Sequence, residues 1–185
     1  MVLEWLIPIF IIVVIVLIVV YYLNKIVILS NRIDNALAQI DVQLKKRADL
    51  VPNLVETVKG YAKHEKGIME RAMKARENML KAGNVQERMK AGTALAAALR
   101  SVFAIAENYP QLKASENFKL LQEQLEGIEN KIAYSRQFYN DSVLSFNNTI
   151  TTIPGVWFAS MFGRNKTKEF LTIEEKERKP VKVEF

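Results

Sequence analysis

The chain has 185 residues and carries 26 basic and 20 acidic side chains, so its formal net charge is +6. It contains no cysteine, which excludes disulfides, thiolate metal sites and a thiol nucleophile. Glycine and proline are scarce, and alanine, leucine, lysine, glutamate and glutamine are abundant after residue 30, so the composition favours helices. The length allows one domain of ordinary size beside a membrane span.

The first predicted element is a membrane-spanning helix over residues 5–23. Every residue in this range is apolar, aromatic or proline, and about 19 residues approach the roughly 20 that a helix needs to cross the hydrocarbon core. The residues that mark the span are Trp5, Pro8, Tyr21, Tyr22 and Leu23. Its aromatic ends lie where the aromatic belts of a bilayer are found. A cleaved signal peptide is the alternative, but Glu4 stands where that peptide would carry basic residues.

Basic residues after the span predict its orientation. Lys25, Arg32 and residues 45–47 follow the apolar segment, whereas only the amino terminus and Glu4 precede it. The positive-inside rule then places the N-terminus outside and the remainder of the chain in the cytoplasm. We therefore expect a single-pass protein of the cell (inner) membrane.

Apolar residues spaced three, four and seven apart predict long amphipathic helices after the span. The first stripe comprises Ile33, Leu37, Ile40, Leu44, Val51, Leu54, Val58, Tyr61, Ile68 and Ala72. Pro52 lies within it, so the stripe belongs either to one kinked helix or to two helices, the second with Asp49 as its N-cap. Gly83 and Asn84 end this region.

Two more helices are predicted beyond Asn84. One extends from Val85 to about Asn108 and has a small-residue face: Ala91, Ala94, Leu95, Ala98, Val102, Ile105 and Ala106. The other follows Ser115 and ends before Pro154, with a stripe of Phe118, Leu121, Leu125, Ile128, Ile132, Tyr139, Val143, Phe146 and Ile150. Because each stripe must be buried, we expect an all-α fold in which the transmembrane helix is followed by an up-down bundle.

Several sequence segments resemble the LemA family. They include IDVQLKKR at residues 40–47, DLVPNLV at 49–55, VKGYA at 58–62, ENYPQLKA at 107–114 and LEGIEN at 125–130. The resemblance covers the chain from the anchor to the tail and departs at residues 153–156 and near residues 170–171. It implies a bacterial membrane protein with an antiparallel four-helix bundle and no established biochemical activity. Members are often encoded near membrane metalloproteases, and one branch is associated with making intracellular membrane compartments.

The expected domain organisation has three parts. Residues 1–24 form the transmembrane anchor, residues 25–153 form the helical LemA-like domain, and residues 154–185 contain an apolar segment and a charged tail. The tail from Gly163 to Phe185 alternates in charge sign, so we expect it to lie extended on the surface or to remain loose.

No catalytic, cofactor-binding or metal site is predicted. His64 is the single histidine, and no second ligand stands at the spacing of a zinc motif, so a structural role is favoured. A polar set surrounds the Pro52 region, namely Asp41, Gln43, Arg47, Asp49, Asn53 and Tyr61. These side chains either line a ligand pocket or fix a helix junction through a pair between Arg47 and Asp41 or Asp49.

A short apolar run at residues 156–162 is followed by Arg164, Lys166 and Lys168. It is too short to span a bilayer. Its aromatic residues Trp157, Phe158 and Phe162 suit a membrane-interfacial segment, a packed cap of the bundle or an oligomer interface.

These features predict a membrane-anchored, non-enzymatic structural or adaptor protein that self-associates to organise membrane or partner proteins. The alternative is a ligand-sensing or regulatory binding module at the cytoplasmic membrane. The expected partners are the lipid bilayer, further copies of the chain and other membrane proteins, such as a membrane protease. The charges alternate along the predicted helices, as in Glu77 with Lys81, so the basic surplus does not indicate nucleic-acid binding.

Overall fold

The computed structural model describes residues 2–171, with side chains from residue 5 onward. This part of the chain consists of helices and connecting segments and contains no strand. The helices are α1 (Val2–Lys59), α2 (Lys66–Lys81), α3 (Val85–Asn108), α4 (Pro110–Ala114), α5 (Glu116–Thr151) and α6 (Gly155–Met161). The predicted all-α fold class is confirmed for these residues. Of the predicted tail, residues 172–185 lie outside the described part.

The described residues divide into two compact units, and both α1 and α5 contribute to each. Residues 37–135 form the central unit, and residues 2–36 with 136–171 form the terminal unit. The predicted domain boundaries at residues 24 and 153 stay predictions. Helix α1 continues without a break past residue 24, and α6 begins at Gly155.

The central unit buries one apolar stripe from each of its long helices. Helix α2 packs against α3. Helix α3 in turn contacts α5, where the rings of Phe103 and Phe118 meet edge to face with centroids 5.9 Å apart. The largest fully buried side chains of this unit are Ile40, Leu44, Val51, Leu54, Val58, Met79, Leu95, Leu112 and Phe118. The stripe predicted for the last helix is buried at every position, in both units.

Two of the predicted apolar stripes contain residues that are exposed in the structure. Tyr61 is 43% exposed because α1 ends at Lys59, so Tyr61 falls in the following turn. In α3, Ala94 is exposed, while Met89, Gly92 and Leu99 are buried. The buried face of α3 is therefore rotated from the small-residue face that the sequence predicts.

Pro52 does not interrupt α1, which resolves the alternatives in favour of one continuous helix. A proline inside a helix leaves the carbonyl four residues earlier without its N–H donor, which here is the carbonyl of Ala48. Arg76 on α2 supplies the missing donor, since its Nε lies 2.8 Å from the Ala48 oxygen. A side chain from the neighbouring helix thus satisfies the backbone group that Pro52 leaves open.

Removal of Arg76 is expected to destabilise the protein mainly when Pro52 is present. Arg76→Ala should lower the free energy of unfolding by about 2 kcal/mol, because a charge-assisted hydrogen bond to a part-buried carbonyl is lost. In a Pro52→Ala background, residue 52 regains its N–H. The loss of unfolding free energy caused by Arg76→Ala should then be about 1 kcal/mol smaller than when Pro52 is present. Chemical denaturation of the four variants measures this coupling. Additive effects would show that Arg76 does not compensate for Pro52.

The α2–α3 connection confirms the predicted break at Gly83 and Asn84. The Asn84 side chain accepts a hydrogen bond from the backbone N–H of Glu87 at 2.8 Å. The Glu87 carboxylate in turn accepts from the N–H of Gly83 at 3.0 Å. These reciprocal bonds satisfy free N–H groups at the start of α3 and fix where that helix begins.

Candidate membrane interface and polar core

The exposure of α1 changes abruptly along its length. Residues 5–21 are apolar or aromatic, and most are exposed on every face of the helix, including Leu17 at 62%. From Ile26 onward the buried positions recur every three or four residues, as in Leu29 and Ile33. A helix that is apolar all round needs an apolar environment, whereas one with a single buried stripe packs against protein.

By length and composition, two of the described helices could cross a membrane, namely α1 and α3. The apolar window of α3 is partly buried, as in a helix packed in a protein core, whereas none of the α1 window is buried. The apolar N-terminal helix is thus the segment that suggests membrane association.

Helix α6 docks beside the end of the apolar stretch of α1. The rings of Phe158 and Tyr22 lie 5.5 Å apart at an interplanar angle of 31°, and Tyr21 meets Tyr22 edge to face at 5.3 Å. Gly155 permits the tight connection from α5 to α6, because a Cβ there would overlap the backbone carbonyl of Thr149. Lys25 Nζ lies 5.9 Å from the centre of the Tyr22 ring.

The three aromatic residues predicted for membrane or protein contact have different environments. Phe158 is half-buried and faces Tyr22, whereas Trp157 and Phe162 are exposed. The buried side of α6 is formed by Gly155 and Ala159, two small residues four apart. That spacing is the sequence signal that indicates the packed face.

An extended segment follows α6 and lies along α5 within the terminal unit. The side-chain amide of Asn147 donates to the Lys168 carbonyl at 2.9 Å and accepts from the Lys168 N–H at 2.8 Å. Asn140 makes the same pair of bonds with Leu171, at 3.0 and 2.9 Å. The asparagines are two turns apart, about 10 Å on a helix, and three extended residues cover roughly the same length.

Tyr139 adds a third contact to this segment. Its hydroxyl donates to the backbone carbonyl of Glu169 at 3.0 Å. Burial, together with the nearby carboxylates of Glu169 and Asp34, raises the pKa of the Tyr139 hydroxyl. The neutral phenol is therefore the favoured form, and it is the form that can donate this hydrogen bond.

The polar residues predicted around Pro52 are distributed among three structural contacts in the central unit. Asp41 pairs with Arg88 of α3 at 2.5 Å, and exposed Asp49 pairs with Lys45 one turn earlier. Arg47, only 3% exposed, pairs with Glu129 of α5. These partners differ from the predicted pairing of Arg47 with Asp41 or Asp49.

The Arg47 guanidinium also reaches α3, donating to the Gly92 carbonyl at 3.3 Å. Gly92 permits close packing, since a Cβ there would lie 2.7 Å from Cδ2 of Leu44. Arg47 therefore links α1 to α3 and α5. Sequence reasoning missed Gly92 and Glu129, because nothing local to either residue indicates a partner so far away along the chain.

The remaining residues of the predicted polar set have different environments. Gln43 is half-buried, Asn53 is exposed, and Tyr61 lies beyond the end of α1. The backbone carbonyl of Asn53 accepts a hydrogen bond from the Thr57 hydroxyl at 2.8 Å. The predicted set is thus not gathered into one enclosed site.

A separate open cleft of about 1030 Å³ lies between the end of α1 and α2 in the central unit. Exposed His64 is one of its lining residues, so the histidine is not a core residue. The cleft is lined by Val55, Lys59, Lys63, His64, Lys66, Met69, Glu70, Met73, Lys74, Arg76 and Glu77. A hydrogen bond from Lys81, and the charge of that residue, lower the pKa of Glu77.

Among residues 2–171, no group of three or more His, Cys, Asp or Glu side chains could hold a metal ion.

Comparison with known proteins gives two results. A family model described as the LemA family matches residues 36–185. A relative, the Magnetosome protein MamQ of Magnetospirillum gryphiswaldense, is 25% identical over 159 residues. That match covers 72% of this chain and 58% of the relative, so the chain spans little more than half the length of MamQ.

Proposed function

Because this chain belongs to the LemA family, we propose that it is a membrane-anchored, non-enzymatic structural or adaptor protein. The observation that carries the proposal is the change along α1, from a segment exposed on all faces to a helix with one buried stripe. The first segment suits a bilayer, and the second suits a helical body outside it. We propose an antiparallel four-helix bundle for that body.

The contacts of one buried and two half-buried arginines support a structural role. Arg47 bonds to α3 and α5, Arg76 satisfies a backbone carbonyl, and Arg88 pairs with Asp41. Arg47 connects three helices, and Arg76 and Arg88 each connect two. The similarity to a protein named for the magnetosome supports a role in organising membranes or membrane proteins.

We further propose that copies of the chain associate with one another and with other membrane proteins, a membrane protease among them. Large apolar side chains are exposed on helices outside the span, including Val42, Leu120, Tyr134 and Leu144. Symmetric assemblies need a repeated surface of this kind.

The particle size of the full chain in detergent tests this proposal. Size-exclusion chromatography with light scattering should give a discrete assembly that is a multiple of the 21.2 kDa chain mass. Variants with Asp at Val42, Leu120, Tyr134 or Leu144 should locate the interface by reducing that mass. A monodisperse monomer that binds no other membrane protein would contradict the scaffold role.

We propose the cell (inner) membrane as the location, with a single span, the N-terminus outside and the helical body in the cytoplasm. Lys25, Arg32 and residues 45–47 after the span support this orientation. A single cysteine at Ser30 or Ser115 should resist an impermeant thiol reagent in intact cells and react after lysis. Reaction of both positions without lysis would reverse the topology.

The cleft between α1 and α2 supports a second candidate, a ligand-sensing module. Its lining contains Met69 and Met73, and it carries more lysine and arginine than glutamate. A lining that combines apolar and basic side chains suits an anionic amphiphile. Mass spectrometry of the protein purified in mild detergent would show such a ligand, and Met73→Asp should remove it. Absence of any bound small molecule would favour the scaffold role.

A further inference from the structure

We propose that α6 is a membrane-interfacial helix that lies among anionic lipid headgroups, where α1 leaves the hydrocarbon. The inference rests on the proposed span and adds a second contact between the protein and the bilayer. It concerns α6 and the basic residues after it, which are all in the terminal unit.

Helix α6 lies beside the end of the proposed span. Tyr22 lies at the end of the apolar stretch, where tyrosine rings mark the interface between hydrocarbon and headgroups. The Phe158 ring contacts the Tyr22 ring at a centroid distance of 5.5 Å. Because α6 contacts Tyr22 directly, α6 and Tyr22 lie at about the same depth in the bilayer. If Tyr22 is at the interface, α6 is there too.

The two sides of α6 differ in exposure. Gly155 and Ala159 are buried and Phe158 is half-buried, so this side is fixed to the protein. On the other side, Trp157 is 63% and Met161 64% exposed, and these residues are four apart on one helical face. Ile153 and Phe162 extend the apolar surface at the two ends of the helix. The packing of α6 thus turns a large apolar surface away from the protein.

The charged residues next to α6 are basic. Arg164, Lys166 and Lys168 follow α6 directly, and the Lys168 backbone is held on α5 by Asn147. Lys25 lies near the Tyr22 ring on α1. Tryptophan beside a basic cluster is the combination that interfacial segments use, with rings among the acyl chains and cations at the headgroups. These contacts favour lipid over a packed cap, because a cap would cover Trp157.

Tryptophan fluorescence in the full chain tests the proposal. The chain has two tryptophans, Trp5 in the span and Trp157 in α6, so Trp5→Phe leaves Trp157 as the only reporter. The variant is reconstituted into vesicles of phosphatidylcholine and phosphatidylglycerol, with brominated acyl chains in part of the lipid. We expect Trp157 to lose most of its fluorescence, and to lose more to bromines near the carbonyl groups than to bromines near the chain ends.

The reciprocal variant separates this inference from the proposed span. Trp157→Phe leaves Trp5, which must be quenched if the anchor is inserted. Quenching of Trp5 without quenching of Trp157 would overturn the interfacial assignment and leave the span intact. Blue-shifted Trp157 emission without bromolipid quenching would overturn it in favour of a protein interface. Quenching of Trp157 by aqueous iodide alone would overturn it in favour of a solvent-exposed helix.

A charge variant tests the lipid preference. Neutralisation by Arg164→Gln, Lys166→Gln and Lys168→Gln should remove the increase in Trp157 quenching that phosphatidylglycerol produces over phosphatidylcholine alone. Lys113→Gln with Lys119→Gln, in the central unit, is the control and should leave that increase unchanged. Equal quenching in the two variants at every lipid composition would exclude the basic residues from membrane contact.

Discussion

Two arginines in the middle of the proposed span, introduced as Val13→Arg with Leu17→Arg, should remove the protein from membranes. Each charge near the bilayer centre opposes insertion by about 3 kcal/mol on the biological insertion scale, so the pair costs about 6 kcal/mol. Both residues are exposed, so neither substitution disturbs a packed core. Flotation of cell membranes on a density gradient, followed by immunoblotting, measures the effect and separates inserted protein from aggregates.

A matched variant controls for added charge. Val42→Arg with Leu120→Arg alters two exposed apolar residues of the central unit, outside the span. That variant should still float with the membranes. If the double arginine variant at residues 13 and 17 floats equally well, the apolar segment of α1 is not the anchor.

Arg47→Ala should cause a large loss of stability in the central unit. The side chain is almost fully buried and joins α1 to the Gly92 carbonyl and to Glu129. The change removes both contacts and leaves a cavity, so we expect a loss of about 3 kcal/mol. For a chain of this size, the melting temperature should fall by about 10 °C. Circular dichroism of the full chain during heating, in detergent, measures the shift.

Substitutions of two exposed residues serve as controls. Lys45→Ala removes an exposed pair with Asp49, and His64→Ala changes an exposed side chain that lines the cleft. Both should leave the melting temperature within about 2 °C, because exposed pairs and surface residues contribute little. If Arg47→Ala behaves like these controls, Arg47 is not a structural link among the three helices.

The parts of the fold that depend on local periodicity could be predicted from the sequence. The stripe of the last helix is buried at each predicted position because its spacing repeats without a break over many turns. The α2–α3 break was predicted from Gly83 and Asn84, and local hydrogen bonds between these residues and Glu87 form it. Tyr61 was placed on the buried stripe in error, since periodicity alone does not show where a helix ends.

Contacts between residues far apart in sequence could not be predicted in the same way. Pro52 suggests a break when it is considered with its neighbours, and the donor that compensates for it, Arg76, belongs to another helix. Arg47 had nearby carboxylates as possible partners, but its observed partner is Glu129 on α5. Helix packing determines these pairs, and packing brings together residues that local spacing does not connect.

The cysteine-free chain permits a direct test of the central claim, which is that α1 crosses a bilayer and then enters the helical body as one helix. Single spin labels at successive positions from 5 to 40, in reconstituted full chain, report accessibility to oxygen and to a water-soluble nickel complex. We predict high oxygen accessibility on every face through residue 21. From Ile26 onward, accessibility should alternate with a period of about 3.6 residues, because one stripe is buried there. A 3.6-residue period over residues 5–21, or high accessibility of those residues to the nickel complex, would contradict the account.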